Sequence, residues 1–103
     1  MKPLHLGALI ASLSCPMLAH ADLALAKEKG CLSCHAVDKK VIGPSYQEVA
    51  AKRSAADTDM LVQKVLKGGG GAYGTTRMPA NKERGVSEDD ARKLVAWVLT
   101  QKK

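Results

Sequence analysis

Two cysteines three positions apart with a histidine directly behind them, Cys31-Leu32-Ser33-Cys34-His35, constrain this chain more than any other feature. Such a pair has few uses. It can close a small disulfide, supply half of a zinc site, act as a thiol–disulfide redox pair or, when histidine follows, carry a c-type haem. Each use demands its own context. A structural zinc ion wants four ligands, usually Cys and His. A thioredoxin-like pair expects a βαβ setting, and no alternating β-branched run precedes Cys31.

How many ligands are available depends on where the folded chain begins. Lys2 supplies a short positive start, Leu4 to Leu18 is largely apolar, and Ala19-His20-Ala21 is the A-x-A pattern that signal peptidase accepts. Residues 1–21 therefore read as a signal peptide cleaved before Asp22, and 22–103 as one exported domain. A retained anchor helix fits less well: the run is short for a span of ~20 residues, and Pro16 and His20 interrupt its end. Lipidation at Cys15 fits worse still, because Leu13 sits one place too close to the cysteine.

The 82 residues that remain hold two Cys, one His and two Met, and the net charge falls from +6 to +5 as Lys2 departs. Three zinc-type ligands, two of them adjacent in sequence, do not complete a zinc site. Leu, Ile, Val and Phe number 16 of the 82, at the edge of the composition that folds unaided. So small a domain has too little apolar material for a generous core and needs something else in its middle. Covalent haem meets both demands. Two thiols at this spacing add across the vinyl groups on one edge of a porphyrin, and the next residue sets an imidazole under the iron. The same numbers exclude a multidomain enzyme, a disulfide-dense scaffold and a polytopic membrane protein.

Iron in such a site has two axial positions, and His35 is the one histidine left to fill either. Met60, Met78, an amine, water or nothing remains for the second. Met60 lies in Asp59-Met60-Leu61-Val62-Gln63-Lys64-Val65-Leu66, an amphipathic helical pattern in which a methionine reads as core packing. Met78 lies in the stretch from Gly68-Gly69-Gly70-Gly71 to Met78-Pro79-Ala80-Asn81, which has neither helical nor strand periodicity. The glycine run alone would suit a flexible linker. A Met-Pro 43 residues beyond His35, after a long irregular loop, can instead present a thioether to the ring, and Met78 is the expected ligand.

Helical signals surround the motif. Asp22 can cap a short helix through Leu23–Lys29 that delivers Gly30 and Cys31. Gly43-Pro44 breaks the chain, and a second helix can start near Ser45 and run through Glu48–Ala51. Asp57 or Thr58 opens a third that ends at Lys67. Ser87-x-x-Asp90 resembles a capping box, Ala91, Leu94, Val95 and Val98 then line one face, and Lys102 and Lys103 suit the end of a helix. No strand pattern is present. The expected domain is all-α with one long loop.

With these residues in order, the sequence resembles a small bacterial monohaem class I cytochrome c over essentially the whole of 22–103. The features are a short helix into Gly30-Cys31-Leu32-Ser33-Cys34-His35, then Gly43-Pro44-Ser45-Tyr46, the loop with Met78-Pro79-Ala80-Asn81, and a last helix bearing Trp97. The resemblance implies the class I fold, about four short helices around one covalently bound haem c. It implies thioethers at Cys31 and Cys34 and axial ligands at His35 and Met78. The Pro44 carbonyl would accept from the other imidazole nitrogen of His35, and Asn81 would steady the Met78 sulfur. Gly30 would let the first and last helices cross closely, with Trp97 packed nearby. Two departures stand out: Tyr73 where relatives often carry a propionate-binding Trp, and Arg77 where a Pro commonly precedes the Met. Tyr73 and Lys64 are the candidate propionate contacts.

An iron with both axial positions filled cannot bind oxygen without losing a ligand, yet it can change oxidation state with little rearrangement. The expected function is one-electron carriage between larger redox proteins in the periplasm, with no substrate transformed. The alternative is a haem domain that senses or binds a small ligand by displacing Met78. Lys27, Lys29, Lys39, Lys40, Arg77, Lys82 and Arg84 flank the motif and the Met loop, and a basic rim there would steer acidic partners. The rival reading is a plain solvated surface. No nucleic-acid-binding motif is present, no membrane insertion is expected after cleavage, and a monomer is expected.

Overall fold

The computed structural model describes residues 18–72, 74 and 76–103. The expected signal peptide and Cys15 lie almost wholly outside the described residues, as does Tyr73. Four α-helices account for the fold: α1 (Leu18–Glu28), α2 (Tyr46–Lys52), α3 (Thr58–Lys67) and α4 (Glu88–Leu99). Short 3₁₀ turns at Cys31–Ser33, Ala55–Asp57 and Asn81–Arg84 join them. Among the described residues pairing of the strand type is confined to two isolated bridges, His35 with Lys40 and Gly69 with Met78.

The caps explain the boundaries. Ser45 Oγ accepts from the backbone N–H of Glu48 at 3.0 Å and starts α2. Ser87 and Asp90 form a reciprocal box, Asp90 N to Ser87 Oγ at 3.0 Å and Ser87 N to Asp90 Oδ2 at 3.2 Å. Two expectations need correction. Asp22 does not cap the first helix, because α1 already runs from Leu18 through Ala19 and Ala21, good helix formers. Lys102 and Lys103 do not close α4 either. Its last carbonyls are met by Thr100 Oγ1 and Gln101 Nε2, which donate to Trp97 O, while Lys102 Nζ reaches across to Ala50 O on α2 at 3.1 Å.

Helix α4 is the hub, packing against α1, α2 and α3. One cluster joins Ala26, Tyr46, Val62, Leu66, Val86, Ala91, Leu94, Val95 and Trp97. The largest side chains wholly buried are Val62 and Val86. That core is thin, and the helices gather around a cleft instead of closing on one another.

Candidate haem cleft

Residue by residue, the cleft is built by turns that the helices hold in place. Gly30 leaves α1 in the left-handed region, φ +83°, where a side chain is strained. A Cβ there would meet only Arg84 Nη2 at 3.6 Å, so this turn, and not a close helix crossing, is what calls for glycine. The following 3₁₀ turn brings the backbone N–H of Cys34 and of His35 to the Cys31 carbonyl at 3.2 and 3.0 Å. Both thiols are free and half-buried. Burial pushes the Cys31 thiol up, and the Tyr46 hydroxyl beside it works the other way.

His35 is fixed from three sides. Its Nδ1 lies 2.8 Å from the Pro44 carbonyl, which can only accept, so Nδ1 carries the proton and Nε2 is left as the donor to a metal. Tyr46 stacks on the ring at 5.0 Å and 21°, and Trp97 meets Tyr46 edge-on at 5.4 Å. Gly43 lies against the third side. A Cβ there would stand 2.5 Å from His35 Cε1 and 2.9 Å from Nδ1, so any side chain at 43 would evict the ring. The sequence marked Gly43 only as a break in the chain.

The methionine loop is pinned. Gly69 N donates to Met78 O at 3.0 Å and Met78 N to Gly69 O at 2.7 Å. The glycine run thus begins as the pairing partner of Met78, which excludes a free linker at that end. Gly68 (φ +74°, ψ −156°) sits so close to the loop that a Cβ would collide with the Met78 carbonyl oxygen and stand 2.7 Å from the Pro79 carbonyl carbon. Asn81, 6 % exposed, donates through Nδ2 to Val65 O at 3.0 Å and to Pro79 O at 3.3 Å. Its amide therefore satisfies a carbonyl left over at the end of α3 and ties down the residue after Met78. Both of its N–H groups act on the backbone.

Cys31, Cys34, His35, Met78 and Asn81 line one cleft with about 1360 Å³ of empty space, part of it open to solvent. Lys64 lines it from α3, and its Nζ would lie 3.2 Å from a Cβ at Gly69. Met60 corrects the expectation of core packing. It is 41 % exposed in the first turn of α3 and lines the cleft, as does Ile42, 52 % exposed. Its helical spacing located the turn correctly, but the face it occupies borders a cavity. Arg53 also lines the cleft and went unmarked, because a Lys-Arg pair at a helix end reads as solvated charge. The donor set, the walls and the two glycine cradles fit a covalently held haem.

Comparison with known proteins agrees with this geometry. A family model described as Cytochrome c matches residues 23–102. Cytochrome c-551 of Pseudomonas aeruginosa is 41% identical over 108 residues, covering 99% of this chain and all of that protein. Cytochrome c-552 of Nitrosomonas europaea is 40% identical over 105 residues with the same coverage. The crystal structure of wild-type Nitrosomonas europaea cytochrome c552 superposes with a TM-score of 0.72 at 38% identity, over 78% of this chain and 99% of that one.

Proposed function

This chain belongs to the cytochrome c family, and from that premise we propose that His35 and Met78 are the two axial ligands of its iron. The cofactor is haem c, joined through Cys31 and Cys34, and the protein is an electron carrier and not an enzyme. When bound, the haem supplies an iron that alternates between the ferrous and ferric states. The chain does the rest. Pro44 O holds the Nδ1 proton of His35, which orients the ring and raises the basicity of Nε2. A thioether has no proton to lose, so the charge that burial opposes at Cys31 never arises once the bond is made. The pairing of Met78 with Gly69, together with Asn81 on Pro79 O, ties down the backbone that would present the sulfur to the iron.

The observation that carries the ligand assignment is this pinned loop in the same cleft as His35. A mobile loop would hold a ligand weakly, and sensing through a displaced Met78 would need one. Visible spectra of the oxidised and reduced protein, followed by carbon monoxide on the reduced form, provide the test. Low-spin bands, a far-red sulfur–iron band and no response to carbon monoxide are expected, and Met78→Ala should bind carbon monoxide promptly. A wild type that shifts with carbon monoxide would refute the ligand assignment.

Export to the periplasm with cleavage before Asp22, leaving 22–103 as a monomer, completes the reading. Among the described residues no helix is long and apolar enough to cross a membrane. The protein works with redox partners, and acidic docking faces on them suit the cleft mouth. Ile42, Met60, Arg77 and Arg84 are exposed and all line that cleft, so apolar and basic side chains both border it. Lys29 is not available to that rim, being engaged with Gly85 O and Asp90.

A further inference from the structure

Tyr46 touches two parts of the haem site at once. Its ring stacks on His35 at 5.0 Å and meets Trp97 edge-on at 5.4 Å, and its hydroxyl is hydrogen-bonded to the Cys31 thiol. The residue opens α2, is 6 % exposed and lines the cleft. Its backbone is tied as well, the N–H donating to Ala36 O at 2.9 Å. Ring and backbone are both fixed, so the hydroxyl is held against Cys31. Stacking accounts for the ring but not for the oxygen, since a phenylalanine would stack on His35 and meet Trp97 equally well. A buried hydroxyl costs stability unless it is paired, and the partner this one has is the sulfur that takes the haem.

In the free chain either group can donate to the other. Haem attachment removes that choice. The Cys31 S–H adds across a vinyl group: sulfur bonds to one vinyl carbon, the proton goes to the other, and no outside oxidant or reductant is consumed. The sulfur is then a thioether, which can only accept. A tyrosine keeps its proton near neutrality, and burial here strengthens that hold. We propose that the Tyr46 O–H donates to the Cys31 thioether sulfur of the bound haem and is a positioning residue that tunes the iron through that sulfur. This rests on the assignment of covalent haem to Cys31. The sulfur is joined to the porphyrin edge, so a donor on it draws electron density from the ring. That favours the electron-richer ferrous state, and hydrogen bonding one shell away from the iron is a lever a chain has over such a site. One side chain thus bears on the redox centre from the ring edge and, through His35, from the axial side.

The test compares the mature haem protein with Tyr46→Phe, which keeps the ring and deletes the oxygen. In a spectroelectrochemical titration Tyr46→Phe should hold an about threefold larger ferric-to-ferrous ratio at fixed poise, a fall of about 28 mV on the one-electron scale of about 59 mV per tenfold change. Its sulfur–iron band and its indifference to carbon monoxide should match the wild type, because the Met78 loop is untouched. The direct readout is the thioether C–S stretch in resonance Raman spectra. Exchange into deuterium oxide should shift that stretch in the wild type and leave it unmoved in Tyr46→Phe. An unchanged potential in Tyr46→Phe, a wild-type stretch that ignores deuterium, or an equal shift in both proteins would each overturn the donation. Should Tyr46→Phe not accumulate, the deuterium response of the wild type decides alone. Failure of the haem assignment looks different: the wild type would then be colourless, or its haem would be extracted with both vinyl groups intact.

Discussion

Gly68→Ala isolates what holds the methionine loop against α3. Two costs add. The backbone at φ +74°, ψ −156° lies in a region essentially reserved for glycine, where any other residue costs about 1–3 kcal/mol. The new methyl would also overlap the Met78 carbonyl oxygen and approach Pro79 O to 2.8 Å. Both are backbone atoms tied by further hydrogen bonds, so relief requires the loop to move, and overpacking of this kind costs about 1–3 kcal/mol. The sum, about 2–6 kcal/mol, is a large part of the 5–15 or so that a domain has. It falls on the Gly69–Met78 pair and on Asn81. Urea unfolding followed by circular dichroism would measure the total, and the far-red sulfur–iron band of the oxidised protein would follow the ligand. The band should vanish at lower urea than the helices, and carbon monoxide should gain access to the reduced form. Gly71→Ala is the control: its φ is also positive, but nothing lies within 4 Å of the added methyl. If the two variants lose equal stability and keep the band equally well, the close approach of Gly68 to Met78-Pro79 does not hold the ligand.

Other consequences are open to simpler measurements. Asn81→Ala leaves Val65 O and Pro79 O without their donor and should lower stability by about 1–3 kcal/mol, with earlier thermal loss of the sulfur–iron band. Ser87→Ala should cost about 1 kcal/mol in thermal unfolding and leave the visible spectrum unchanged. The backbone N–H of Ser87 holds the Asp90 carboxyl below its ordinary range. Stability from that bond is therefore full above the unfolded carboxylate value and is lost as pH falls through the lower folded value, so Asp90→Asn should flatten part of the acid limb of a stability-versus-pH curve. Electron exchange with an acidic partner should slow as ionic strength rises; a rate independent of salt would remove the basic mouth from the docking account.

What could be read from the sequence was whatever rests on local chemistry. The C-x-x-C-H run, the capping residues Ser45, Ser87 and Asp90 and the switch from helical periodicity to an irregular loop are all set within a few residues, and α2 and α3 start and stop, and α4 starts, where those signals put them. Features made by distant residues were not legible. Gly43 matters because of a histidine ring eight positions earlier, and Gly68 because of a carbonyl ten positions later. Met60 has the spacing of a core residue, but it is 41 % exposed and lines the cleft. Arg53 follows a lysine at a helix end, and only the folded chain reveals that its Nε has left water.

The paired backbones of Gly69 and Met78 have one more consequence, for design. The stretch of chain between Gly69 and Met78 has its ends already joined, and doubling the length of a closed loop costs only about 0.6 kcal/mol. Met78 is held at the seam by Gly69, and Pro79 after it by Asn81, so neither anchor lies between Gly69 and Met78. The segment is thus a graft site beside a fixed ligand: a reporter, a recognition peptide or a crosslinking handle could be spliced in next to the redox centre without relocating the sulfur.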